Sequence, residues 1–154
     1  MSNEATSPPR IVVGVDGSEP SKAALRWAVG QAKLIGGVVD AIIAWDSPTA
    51  WYGLAPPSDK DQADFQEQVR KILDRAIDEA LGPGPGRQVD LRPISVHGHP
   101  AAVLIDAAAG AQLLVVGSRG HGGFREALLG SVGQHCVHHA PCPVVVIRGS
   151  GQGA

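Results

Sequence analysis

The residues best equipped for chemistry in this 154-residue chain are a set of glycines, one aspartate and one serine. Gly117 and Gly120 open the stretch GSRGHGGFREALLGS, and Gly130-Ser131 close it ahead of a helical pattern. Glycine permits positive φ and lets backbone amides approach an anion closely. A helix starting at Ser131 presents unpaired N–H groups and the positive end of its dipole. The Ser131 hydroxyl can cap that helix or donate to a phosphate. These parts read as a phosphate cradle. A glycine-rich surface loop with an ordinary serine cap fits the same letters.

Asp16, in VDGS directly after an apolar run, also has two readings. Beside a phosphate site a carboxylate can hold a magnesium ion or a ribose hydroxyl. It can equally close the turn through an Asx hydrogen bond. Arg119 and His121, inside the glycine stretch, could reach phosphate oxygens or stay solvated. The usual nucleotide-enzyme motifs are missing: no G-x-x-x-x-G-K-[ST], and no G-x-G-x-x-G after the first strand. The hydrolase elbow G-x-S-x-G is missing too. In QHCVHHAPC, His135 and His139 stand four apart near Cys136 and Cys142, which raises a metal reading. Neither H-E-x-x-H nor C-x-x-C supports it, and Cys136 suits a small core side chain.

The elements that must position these residues alternate in type. Ile11–Val15 is a β-branched run, the mark of a strand buried on both faces. Ser18 can cap the helix that follows, with Pro20 tolerated in its first turn and Gly36-Gly37 ending it. Val38–Trp45 reads as strand two, and Asp46–Ser58 as a long loop holding Trp51 and Tyr52. Trp45, Trp51 and Tyr52 could flank an adenine ring or pack on the domain's own shoulder. Phe65, Val69, Ile72, Leu73, Ala76, Ile77 and Ala80 trace an amphipathic helix that GPGPG ends. Val89–Val96 is strand three, where Pro93 argues for a sheet edge or a bulge. A helix from Pro100 to about Ala109, strand four at Leu113–Val116, a helix from Ser131 to about Ala140 and strand five at Val144–Ile147 complete the series. Alternating strands and helices specify an α/β fold with a parallel sheet covered on both faces. Ligands of such sheets bind beyond the carboxyl ends of the strands, where strand order reverses.

Composition narrows the class. The length suits one domain, expected at residues 10–148 between flexible tails at 1–9 and 149–154. A 44% hydrophobic share against 18% charged excludes a disordered chain. Thirteen basic against fifteen acidic residues argue against a nucleic-acid binder. Three Trp, one Tyr and two Phe could scarcely furnish base-stacking platforms. No apolar run approaches a membrane span, and MSNEATSPPR lacks the pattern of a signal peptide. With only Cys136 and Cys142, no disulfide framework exists. A cytoplasmic protein without nucleic-acid or membrane partners is expected.

Gly117-x-x-Gly120, nine residues, then Gly130-Ser131 resembles the nucleotide-binding pattern of the ATP-binding branch of the universal stress protein family. IVVGVDGSEPSKAALRWA resembles that family's first strand and helix, and GSRGHGGFREALLGSVGQHCVHHAPCPVVVIR its C-terminal third. The resemblance implies a Rossmann-like three-layer sandwich, with five parallel strands in order 3-2-1-4-5 and four helices. It implies ATP, with magnesium at Asp16, as the ligand. Val15 and Asp16 would face the nucleotide, Asp16 at the ribose and phosphates, and Ala44 would offer backbone to the adenine edge. Gly117, Arg119 and Gly120 would lie along the ribose and phosphates; Gly130, Ser131 and Val132 would hold the outer phosphates. Gly133 departs from the family pattern, where many relatives carry a hydroxyl or another small side chain. Val144, Val145, Val146 and Ile147 form an apolar edge that invites pairing, and the resemblance implies a homodimer across it.

The expected function is a nucleotide-dependent stress sensor or regulator, read by a protein partner and at most a slow ATPase. A nucleotidyl enzyme would need an H-I-G-H or S-G-G-x-D-S motif after strand one, and VGVDGSEPS supplies neither. A nucleotide-free interaction module, or a binder of AMP or cyclic AMP, remain the alternatives.

Overall fold

In the computed structural model, which describes residues 7–46, 59–82, 89–118 and 130–148, the strands are β1 (Arg10–Gly14), β2 (Val38–Trp45), β3 (Leu91–His97), β4 (Leu113–Gly117) and β5 (Val144–Ile147). The helices between them are α1 (Glu19–Ile35), α2 (Asp59–Leu81), α3 (Pro100–Ala107) and α4 (Ser131–His139). All strand pairs are parallel, and the order is β3-β2-β1-β4-β5, as expected.

Period-two alternation along the strands supplies two cores. Ile11, Val13, Val39, Ala41, Ile43 and Val115 pack with α1 and α2, through Leu25, Ala28, Leu73 and Ile77. Val12, Ile42, Leu114 and Val116 point the other way, to Leu104 of α3 and Cys136 of α4. Fully buried side chains such as Leu25, Leu73 and Leu114 each contribute about 1.5–3 kcal/mol. The three-layer sandwich follows from that arithmetic of faces.

Helix α1 starts and stops where the capping residues say. Ser18 is its N-cap, accepting the Ser21 N–H at 3.3 Å, and Gly36 ends it at φ 67°. Helix α2 begins at Asp59, ahead of Phe65. Its first turn is acidic and exposed, favoured by the helix dipole but invisible to apolar periodicity. Ile72, counted on its apolar face, is in fact 46% exposed. Pro93 lies on an edge strand, which resolves the choice between edge and bulge. Helix α3 stops at Ala107, and Gly110 turns the chain at φ 78°. Strand β1 closes at Gly14, although the Val15 N–H still donates to Ile42 O at 2.8 Å.

At the amino ends of the strands, buried Asp40 joins three of them. Its Oδ1 accepts from Arg92 Nε at 2.6 Å and its Oδ2 from Arg10 Nη1 at 3.3 Å. Arg10 also donates to the carbonyls of Ala107 and Ala109, at 2.9 and 2.8 Å, tying the end of α3 to the sheet. This network lies at the opposite end from the candidate site.

Candidate functional site

Strands β1 and β4 are neighbours, with Val13 paired to Val115, and they lead to helices on opposite faces of the sheet. Their carboxyl ends therefore flank the crevice where strand order reverses. On the β1 side the chain enters the turn Asp16-Gly17-Ser18. Asp16 Oδ1 accepts both the Ser18 N–H at 2.9 Å and the Ser18 hydroxyl at 2.5 Å. Gly17 takes φ 85°, a conformation that side chains resist. Ser21 Oγ donates to Ser18 O at 2.9 Å and accepts the Asp16 N–H at 3.3 Å. The Asx reading of Asp16 is thus realised in a turn fixed from several sides.

On the β4 side, Gly117 is a glycine for a reason of packing. A Cβ there would stand 2.8 Å from the carbonyl carbon of Pro20 and 2.9 Å from its Cβ. Beyond it, the Ser118 N–H donates to Ile147 O and the Ser118 carbonyl accepts the Gly130 N–H, both at 2.7 Å. Gly130, not Ser131, is the N-cap of α4, with extended φ −69° and ψ 169° and no side-chain cap bond. Ser131 is the first helical residue and its side chain is exposed. The first helical bond runs from Gln134 N–H to Gly130 O at 2.9 Å. The N–H groups of Ser131, Val132 and Gly133 therefore have no acceptor within the helix. An anion placed there would meet three donors and the positive helix end.

Val15 and Ala44 lie near the ends of β1 and β2, Val15 buried and Ala44 half-buried opposite Val96. Trp45 is turned away from the crevice. It packs in the α1/α2 core, 5.4 Å from Phe65 edge-on and 4.4 Å from His97, ring centre to ring centre. Arg119, Gly120, His121, Trp51 and Tyr52 lie outside the described residues, as do the tail segments 1–6 and 149–154.

The metal reading of the QHCVHHAPC stretch comes apart on α4. His135 and His139 share an exposed face, rings 5.1 Å apart, while Cys136 is wholly buried beneath the helix. Burial pushes the Cys136 thiol up to about 11 and raises Cys142 as well, so neither offers a ready thiolate. Among the described residues no group of three or more His, Cys, Asp or Glu is arranged to hold a metal.

Sequence reasoning missed two features. Ser118 ties the ends of the glycine segment through its backbone, which no side-chain pattern could announce. A cleft of about 360 Å³ opens on the far side of the Asp16-Gly17 turn, against Lys71, Ile72, Arg75, Ala76 and Glu79 of α2. Ile72 kept the helical period of the core positions, so spacing did not set it apart as a cleft wall.

The model of the Universal stress protein family matches residues 9–148. The chain belongs to that family. A universal stress protein of Mycolicibacterium smegmatis is 33% identical over 151 residues, covering 94% of this chain and 49% of the relative. One from Mycobacterium tuberculosis is 35% identical over 144 residues, covering 91% and 45%. The chain thus spans about half the length of the curated relatives it matches. Among solved structures, a universal stress protein in complex with cAMP is 26% identical, with a TM-score of 0.65 over 94% of this chain and all of the other. This universal stress protein domain contains no described helix long and apolar enough to cross a membrane.

Proposed function

We propose that this universal stress protein unit, residues 10–148, binds an adenine nucleotide in the crevice between β1 and β4 and serves as a nucleotide-dependent regulator. One observation carries the reading. Three amides at the start of α4, on Ser131, Val132 and Gly133, lack helical acceptors beside the crevice where the Asp16 turn also ends. The relative in complex with cAMP supports the adenosine part. The glycine spacing supports ATP, with Gly117, Gly130, Ser131 and Val132 along the phosphates and Val15, Asp16 and Ala44 around the nucleoside. Arg119 and Gly120 join that set from the sequence alone. A magnesium ion fits the chemistry of Asp16, provided the carboxylate keeps its Ser18 bonds while it meets the ion.

The chain lacks a P-loop lysine, so ATP turnover, if measured, is slow. Pairing through the outer edge of β5, half-buried at all four positions, makes a homodimer. A monomeric mass by light scattering would remove that feature.

A second reading, an interaction module without nucleotide, has one observation in its favour: the packing of Pro20 already accounts for Gly117. Thermal unfolding decides between them, with ATP, ADP, AMP, cAMP and NAD each tested with and without magnesium. Ligand at a hundred times its Kd adds about 2.7 kcal/mol to stability, a rise of several degrees. ATP with magnesium is expected to give the largest rise. A rise with cAMP or AMP alone keeps the adenosine pocket and rejects the triphosphate. No rise with any of them favours the interaction module.

A further inference from the structure

The cysteines drop out of the histidine-rich end of α4, but two imidazoles stay together there. His135 and His139 stand in the pattern H-x-x-x-H, the spacing that puts two ligands on one face of a helix. Both are exposed, while Gly133 and Cys136 turn to the core, and their ring centres lie 5.1 Å apart. That distance is decisive. A metal about 2.1 Å from one nitrogen of each ring lies about 3.2 Å from each ring centre, which at an angle of about 90–110° sets the centres about 4.5–5.2 Å apart. The pair His135–His139 falls inside that range, and His138–His139, at 6.3 Å, falls outside it. His139 also belongs to the last turn of α4, where the negative end of the helix dipole favours a cation.

We propose that His135 and His139 chelate a divalent transition-metal ion of the kind imidazole favours, copper(II), nickel(II) or zinc(II), with water in the remaining positions. Two protein ligands make an open, exchangeable site and not a closed structural centre. No group of three ligands is arranged for the latter among the described residues. The site lies at the opposite end of α4 from the amides of Ser131, Val132 and Gly133, and it stands whether or not those amides meet a nucleotide.

Nitrogen-15 NMR of the histidine rings in the nucleotide-free full chain, titrated with zinc(II), tests the assignment. The ring signals of His135 and His139 are expected to move together, to saturate at one zinc per chain, and to do so before those of the other histidines. His135→Ala and His139→Ala each leave a single imidazole. Each should weaken zinc binding about a hundredfold, the gain in effective concentration that the second arm of a chelate supplies. His138→Ala should leave the affinity unchanged. Alanine at these exposed helical positions raises helix propensity, so the variants keep the fold. Unmoved rings, earlier saturation of other histidines, or undiminished affinity in either single variant would overturn the proposal. An equal loss in His138→Ala would also overturn it, by making the site a diffuse cluster of histidines.

Discussion

The carbonyl of Ser118 accepts the N–H of Gly130 at 2.7 Å, so the two ends of the glycine-rich segment meet in one hydrogen bond. The Ser118 N–H is held in turn by Ile147 O on β5. The segment therefore leaves the sheet and re-enters α4 at a fixed gate. One consequence concerns donors. The Gly130 amide is committed to this gate, and the amides available to an anion begin at Ser131.

Ser131→Ala separates the two roles that the sequence allowed for this serine. The residue is exposed and is not the cap of α4, so its removal should leave the stability of the nucleotide-free protein within about 0.5 kcal/mol. The ATP-dependent rise in Tm should shrink, because the hydroxyl's contact with phosphate is lost. Calorimetry with and without ATP reads both numbers. A loss of 1 kcal/mol or more without ligand would restore the capping role.

Gly117→Ala acts through packing rather than through ligand. The new Cβ meets the backbone of Pro20, which the first turn of α1 holds in place, at 2.8 Å. Overpacking of this kind costs about 1–3 kcal/mol, or roughly 3–10 °C in Tm for a domain of this size. Thermal unfolding in the absence of nucleotide should show that fall. An unchanged Tm would mean that α1 shifts freely, and would return Gly117 to a purely binding role.

These two variants show where the sequence was legible. The five strands, the four helices and the Asp16 turn follow from β-branched runs, from Ser18 and Gly36 as caps, and from alternation of type, whereas the strand order was implied by the family resemblance alone. Such signals are local, and they survive in a single chain. Helix α4 starts at Ser131 as expected, and of the two readings of that serine the capping one fails, because Gly130 adopts the extended cap conformation itself. The start of α2 was hidden because Asp59 and Asp61 stabilise a turn without burying anything. Ile72 fitted the helical period, yet the period cannot tell a core face from the wall of a cleft. The approach of Pro20 to Gly117 and the gate at Ser118 are long-range facts of packing and backbone, which spacing does not encode.

Asp40→Ala tests the far end of the sheet. The carboxylate is only 6% exposed and is shared by Arg10 and Arg92, whose side chains are 25% and 54% exposed. Its removal strands two guanidiniums that water can partly reclaim, which limits the loss to about 2–3 kcal/mol. Chemical denaturation should show it as a lower midpoint at unchanged slope, with ATP binding intact. A simultaneous loss of nucleotide response would tie the two ends of the sheet together and contradict their separation.

The pair Lys22–Glu79, which joins α1 to α2 at 2.8 Å, makes a prediction about pH. The Lys22 hydrogen bond holds Glu79 below its ordinary carboxylate value, and the Glu19 and Glu79 carboxylates raise Lys22. A lowered acid stabilises the fold fully above the unfolded pKa and loses that contribution as pH falls through the folded one. A raised base contributes fully below its unfolded pKa and loses it as pH rises through the folded one. The pair therefore supports the fold across neutral pH and fails at both extremes. Glu79→Gln should lower the denaturation midpoint at pH 7, and the gap to wild type should close in acid, where protonated Glu79 resembles glutamine. Because Glu79 is half exposed, salt should also narrow the gap at pH 7. A gap that persists undiminished into acid would contradict the assignment of Glu79's contribution to its charge.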